Sequence, residues 1–213
     1  MSTNMNSGKQ QKAAGLMSVG SLTIMAMLGG VSVVLMLLDF PLWFAPPFYK
    51  LDFSEVPVLI GAFALGPAAG IVIELIKILL NLVINFTETA GVGEAANFII
   101  GCSMVVPAAV IYYRNKKLKS AIIGLISGTL CMTVIGGLMN AFVLLPAYAY
   151  FFKMPIDSII GMGTKVNSAI DSMATFVFYA VTPFNLFKGV SVSLITLLLY
   201  KRLSRIIKVI LER

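Results

Sequence analysis

Apolar positions fall into long runs separated by short polar, charged or proline-rich breaks. A bilayer core of about 30 Å takes roughly 20 helical residues, and the first run, residues 15–38, has that length. It ends at Asp39-Phe40-Pro41, where proline prevents simple helical continuation. An aromatic, proline-rich connection follows, Trp43-Phe44-Ala45-Pro46-Pro47-Phe48-Tyr49-Lys50, whose Trp and Tyr suit a membrane interface. Residues 53–86 are one apolar stretch interrupted at Gly66-Pro67. A single helix of that length, at about 1.5 Å per residue, would far exceed the bilayer. The break therefore predicts a short second span over 54–65 and a third over 68–86. A fourth is expected over 94–113 and a fifth over 120–145, stopping near Pro146. After a looser segment, 147–172, comes a sixth span over 175–200. The reading is an all-α membrane protein with six transmembrane helices in residues 15–204, a polar tail 1–14 and a basic tail 205–213.

Charge fixes the expected orientation. The N-terminus, the loop around Arg114-Asn115-Lys116-Lys117-Leu118-Lys119 and the C-terminal tail hold 11 of the 16 basic residues. Lys and Arg favour cytoplasmic loops, and six spans place all three segments on that side, with both termini cytoplasmic. Five spans would separate the tails. Seven acidic residues, Asp39, Asp52, Glu55, Glu88, Glu94, Asp157 and Asp171, then sit at or beyond the outer ends. The first run is long enough to span and lacks an A-x-A cleavage pattern, so it does not read as a signal peptide. No internal repeat of the kind that builds many secondary transporters is visible.

Composition narrows the chemistry. Only 12% of the 213 residues are charged, about half the share in a soluble domain, and mean hydropathy is +0.95. The net charge of +7 belongs to loops flanking apolar helices, which argues against a nucleic-acid partner. There is no histidine, so the commonest general base and metal ligand is missing. Cys102 and Cys131 lie inside apolar runs without ligand spacing and read as packing residues. No metal site, no cofactor and no catalytic residue is expected. Gly91-Val92-Gly93-Glu94-Ala95-Ala96 fits a dinucleotide-binding pattern, but no strand precedes it. The sequence holds no Walker A, G-x-S-x-G or H-E-x-x-H signature. Asn85-Phe86-Thr87 matches a glycosylation sequon, which is a short pattern.

Polar residues at membrane depth usually face protein or a cavity. Glu74 and Lys77, three apart on the third span, read as a neutralising pair near its inner end, with Asn81 and Asn85 continuing that face into the bundle. Glu94, Asn97, Asn140, Asn185 and Lys188 all belong to the outer half. With Trp43, Phe44, Phe48 and Tyr49 nearby, they suit a pocket for a planar, polar-edged heteroaromatic ligand. Interhelical hydrogen bonding alone would also account for them. Small residues at Ala26 and Gly30, Gly66 and Gly70, and Gly124 and Gly128 mark close helix contacts, and the first pair could dock an external partner.

The segment Phe48-Tyr49-Lys50-Leu51-Asp52-Phe53-Ser54-Glu55-Val56-Pro57, with Phe63-Ala64-Leu65-Gly66-Pro67, resembles the S components of energy-coupling factor (ECF) vitamin transporters, and among them the riboflavin-specific members. Ala95-Ala96-Asn97-Phe98, Asn140-Ala141-Phe142-Val143-Leu144-Leu145-Pro146 and Pro183-Phe184-Asn185-Leu186-Phe187-Lys188-Gly189 carry the likeness onward, in order, over about residues 16–205. The resemblance implies a multi-pass subunit in a prokaryotic plasma membrane that captures riboflavin, with FMN as an alternative flavin, from outside. It implies no ATPase activity in the chain itself, with a membrane coupling subunit and two cytoplasmic ATPases supplying energy. It also implies that Asn140, Asn185 and Lys188 contact the flavin ring, with Glu94, Asn97, Leu51 and Tyr49 as further contacts. Residues 41–52 would cover the ligand, and Ala26 with Gly30 would dock the coupling subunit, although glycine replaces the second alanine of the family's A-x-x-x-A surface. Folate and thiamine are the rival ligands, folate being disfavoured because Lys188 is the one cation clearly placed in the outer pocket. A membrane enzyme acting on lipids would need a nucleophile–base pair or a metal cluster. A ligand-free structural subunit is the remaining reading.

Overall fold

The computed structural model describes residues 18–87 and 89–211. The expected tail 1–14 lies outside that range. Helix α1, Val19–Leu37, starts at Ser18, whose Oγ accepts the Ser21 N–H at 3.2 Å and so satisfies one of the free first-turn donors. Ser21, Ile24, Met25, Gly29, Ser32 and Val33 form its buried face. Leu22, Met27, Val31 and Val34 are exposed on the other side. A helix apolar all round is buried in protein on one face and in lipid on the other.

The connection after α1 is more ordered than a plain loop. Strands β1, Phe40–Pro41, and β2, Lys50–Leu51, pair antiparallel, with Phe40 opposite Leu51 and Pro41 opposite Lys50. The intervening aromatic segment is thereby closed into a hairpin that folds back over the helices.

Helix α2, Glu55–Leu65, is buried from Glu55 through Ala64. It packs against α1, against α3, Pro67–Asn85, against α4, Val92–Asn115, and against the last helix, α9, Thr182–Leu211. Its 11 residues reach only about 16 Å, roughly half the hydrocarbon thickness. The expected short span therefore does not cross a bilayer by itself. The paired loop supplies the rest of that descent: Leu51, Asp52 and Ser54 are already buried before α2 begins. The turn to α3 is made at Gly66, whose φ of 116° suits glycine, followed by Pro67 in the first turn of α3. The Tyr113 hydroxyl donates to the Ala64 carbonyl at 3.1 Å, securing the end of α2.

Helices α4 and α5, Leu118–Met139, form the tightest pair. A side chain at Gly124 or Gly128 would run into the backbone of Ala108 or Met104, so these glycines serve packing within the chain, as expected. Beyond α5 the helix does not stop at Pro146. It passes through a π-helical turn, Asn140–Leu144, into α6, Leu145–Phe151. A proline inside a helix removes one hydrogen bond and crowds the preceding turn; the wider π turn accommodates this. The same device recurs before Pro183, where α8, Met173–Phe176, leads through the π turn Val177–Val181 into α9. Between them, α7, Ile156–Thr164, lies in the segment expected to be loose.

Two cores result. Phe63 stacks on Tyr112 at 4.5 Å and meets Tyr200 edge-on near the α2–α3 turn. At the opposite end, Leu145, Ile159, Ile170, Phe176, Ala180 and Val181 pack together, with Phe48 and Tyr49 of the hairpin against them. Among the described residues, five helical stretches are long and apolar enough to cross a membrane, Val19–Leu37, Pro67–Asn85, Val92–Asn115, Leu118–Phe151 and Met173–Tyr200. Exposed Met27, Val83 and Leu198 on these stretches need a lipid solvent. The fold is that of a multi-pass α-helical membrane protein.

Candidate functional site

A cavity of about 730 Å³ lies beneath the hairpin, within the range of about 300–1,000 Å³ typical of small-molecule sites. Asn140 and Asn185 stand on the two prolyl π-turn helices, Asn97 and Glu94 on the first turns of α4, and Lys188 one turn beyond Asn185; all five line it. The polar face of α3 reaches it through Asn81 and Asn85, which are bonded to each other at 2.9 Å. Six of the seven expected ligand residues are thus brought together. Leu51, the seventh, does not line the cavity: it is buried in the hairpin ladder opposite Phe40.

The expected aromatic set divides. Phe48 and Tyr49 line the cavity, Phe48 stacking on Phe176 at 6.3 Å and Tyr49 packing on Phe184 at 5.2 Å. Trp43 is 90% exposed and Phe44 turns outward onto Trp43 and Phe187. These two belong to the molecular surface. The Tyr49 hydroxyl donates to Asn140 Oδ1 at 2.5 Å, while Asn140 Nδ2 donates to the Gly136 carbonyl at 2.8 Å. Burial, reinforced by Tyr148, raises the Tyr49 phenol well above its usual range, so it acts as a neutral donor. The Asn185 and Asn97 amides have no hydrogen bond among the described residues. Asn185 is nevertheless buried, its amide pressed against Gly136, and a partner from a ligand would satisfy it.

Lys188 is paired. Its Nζ lies 2.7 Å from Asp52 Oδ2. Asp52 Oδ1 accepts the Ser54 N–H at 2.9 Å and the Ser54 hydroxyl. Asp52 is thus the carboxylate partner of Lys188, fixed from its other side by Ser54. Lys77 in turn contacts Ser54 Oγ at 3.4 Å and both Glu55 Oε1 and Glu74 Oε1 at 2.7 Å. The Glu74–Lys77 pair expected near the inner end of its helix stands at mid-helix and is a triad completed by Glu55.

Sequence reasoning placed Asp52 and Glu55 at the outer ends; both are folded inward. The signal that could have found them was the number of cations at depth. Lys77 is fully buried and Lys188 largely so, and Glu74 alone cannot neutralise both. The exposed face of α1 carries Ala26; Gly30 there has no atom within 4 Å of where a side chain would begin, whereas Gly29 packs on Ile76.

Fold and site together define a membrane-embedded protein with a small-molecule cavity roofed by an aromatic hairpin. Residues 20–200 match the family model of the ECF transporter substrate-specific component, and the chain belongs to that family. It is 36% identical over 187 residues to the riboflavin transporter RibU of Staphylococcus aureus, covering 88% of this chain and 92% of that protein. It is 35% identical over 189 residues to the riboflavin transporter FmnP of Bacillus subtilis, covering 88% and 93%. A solved structure of the S component of a bacterial ECF transporter superposes with a TM-score of 0.67 at 36% identity, covering 88% of this chain and 96% of that one.

Proposed function

We propose that the chain is the riboflavin-capturing subunit of an ATP-driven importer in a bacterial plasma membrane. The observation that carries this reading is the cavity chemistry: buried amides at Asn140 and Asn185 and a lysine already neutralised by Asp52. Such a wall suits an uncharged heteroaromatic ring with carbonyl and imide edges. A lysine ammonium has three donors, so Lys188 can keep Asp52 and still donate to a ring carbonyl. Folate, with its carboxylates, would find both cavity lysines engaged, Lys50 with Asp39 and Lys188 with Asp52.

In this reading Asn140, Asn185, Lys188, Asn97 and Glu94 hold the flavin and Tyr49 closes over it with the rest of residues 41–52. Leu51 supports the hairpin from beneath. The hairpin and α2 complete one crossing together, which with α1, α3, α4, α5–α6 and α8–α9 gives six passes with both termini cytoplasmic, in accord with the basic residues near Arg114 and in the tails. Ala26 and Gly30 form the surface on which a membrane coupling subunit docks, and two cytoplasmic ATPases supply the energy. The name of the two relatives supports the ligand.

Absorbance of the detergent-purified protein, followed by riboflavin titration with fluorescence quenching, tests the reading. A flavin band or saturable quenching is expected, with quenching lost in Lys188→Ala while the variant keeps its helical circular dichroism. No flavin and no quenching in the wild type would remove riboflavin and leave the architecture standing.

A further inference from the structure

The charged side chains lining the cavity are Asp39, Lys50, Asp52, Glu55, Glu94 and Lys188. Each lysine is matched by a carboxylate, Lys50 by Asp39 at 3.2 Å and Lys188 by Asp52 at 2.7 Å. Glu55 is matched from behind by Lys77, and Glu94 accepts a hydrogen bond from the Thr87 hydroxyl at 3.0 Å. The wall therefore offers no uncommitted cation among the described residues. Asp52 is held in place independently of any ligand, by the backbone N–H and hydroxyl of Ser54. Its carboxylate is thus a fixed part of the wall, standing directly behind Lys188, the less exposed of the two lysines that line the cavity.

Resting on the flavin reading above, we infer that Asp52 sets the charge preference of the cavity: by neutralising Lys188 it admits the uncharged vitamin and disfavours its phosphorylated form. A phosphate monoester carries about −1.5 to −2 charges at neutral pH. Brought into a partly desolvated cavity it needs an unpaired cation, and the Asp52–Lys188 pair presents none. A neutral ring carbonyl needs only a donor, which the paired ammonium still supplies. Removing the Asp52 charge turns Lys188 into a free cation and shifts the preference toward the phosphorylated form.

The experiment compares riboflavin and FMN titrations, by fluorescence quenching, on the full chain as wild type, Asp52→Asn and Asp52→Asn with Lys188→Gln. The readout is the ratio of FMN to riboflavin affinity, which a general loss of folded protein does not move. One unit charge acting over roughly 12 Å at an effective dielectric of about 20 changes the ratio about tenfold. The ratio is expected to rise by that factor in Asp52→Asn and to fall back in the double variant. Asp52→Ser, whose hydroxyl can still accept the Ser54 N–H, serves as a second neutral variant should Asp52→Asn not fold. Riboflavin binding by the wild type with an unchanged ratio in the neutral variants would overturn the role of Asp52 alone. A wild type that quenches neither flavin would overturn the flavin reading and this inference with it.

Discussion

Tyr49 and Asn140 compete with the ligand for each other. The phenol occupies the Asn140 acceptor, which a flavin imide N–H would also use, so the hairpin has to yield that bond when the site fills. Tyr49→Phe keeps the ring against Phe176 and Phe184 and deletes only the competing donor. A net hydrogen bond is worth about 1 kcal/mol, so riboflavin affinity should rise roughly fivefold in Tyr49→Phe, read by the same quenching titration. Tyr49→Ala, which removes the ring, serves as the opposite control and should weaken binding. The buried triad behaves differently, because its lysine has no surplus capacity. Lys77→Met leaves Glu55 and Glu74 buried beside each other without a cation, and breaking a buried pair in this way costs about 3–5 kcal/mol. A large fall in thermal stability in detergent is expected; a melting temperature equal to that of the wild type would refute the triad's role in stability.

At the scale of elements, the two prolines and their π turns set the direction of the amides. Asn140 opens the first π turn and Asn185 follows the second by one turn of helix. A π turn holds one residue more than an α turn, so relaxing it to α geometry would rotate Asn140 relative to the rest of its helix by about 100°. Pro146→Ala removes the clash that makes the π turn favourable. The variant should keep its helicity and melting temperature while riboflavin affinity drops about tenfold or more, as circular dichroism and titration together would show. Unchanged affinity would mean that the π turn is held by something other than its proline.

These elements also show what could be read from sequence and why. Hydropathy reports the surface a helix turns to lipid, so the long runs were found nearly to their ends. Pro146 reads as a stop because a proline removes a helical hydrogen bond, whereas the π turn that absorbs it leaves no mark in the hydropathy pattern. The depth of α2 was hidden for a related reason. An apolar stretch of 11 residues looks alike whether it spans or lies in the centre of a bundle. Asp52 and Glu55 looked like outer-end acids because their partners, Lys188 and Lys77, are 136 and 22 residues away. Asn140, Asn185 and Lys188 were visible individually, since an amide or ammonium in an apolar run is conspicuous in any fold.

For the molecule as a whole, the cavity and the proposed docking face are set apart. Ala26 is exposed midway along α1, which reaches the cavity through Met36 at its far end, while the rest of the lining comes from the hairpin and the other helices. Ala26→Trp should therefore leave melting temperature and riboflavin titration as in the wild type and reduce riboflavin uptake at least tenfold in cells carrying the coupling subunit and ATPases. Equal uptake would remove α1 as the docking face.

The shortness of α2 bears on how the chain reaches its membrane. Eleven residues fall well below the roughly 20 that qualify a segment for insertion as a span, and α2 begins with an acid that lipid does not accept on its own. It has to enter as one arm of a hairpin with α3, turned at Gly66-Pro67. That arrangement brings Glu55 in beside Lys77, so the acid has a charged partner before it meets hydrocarbon. If the triad assists insertion as well as stability, Lys77 variants should be under-represented in the membrane fraction before any purified protein is melted; a wild-type level there would refute the role in insertion.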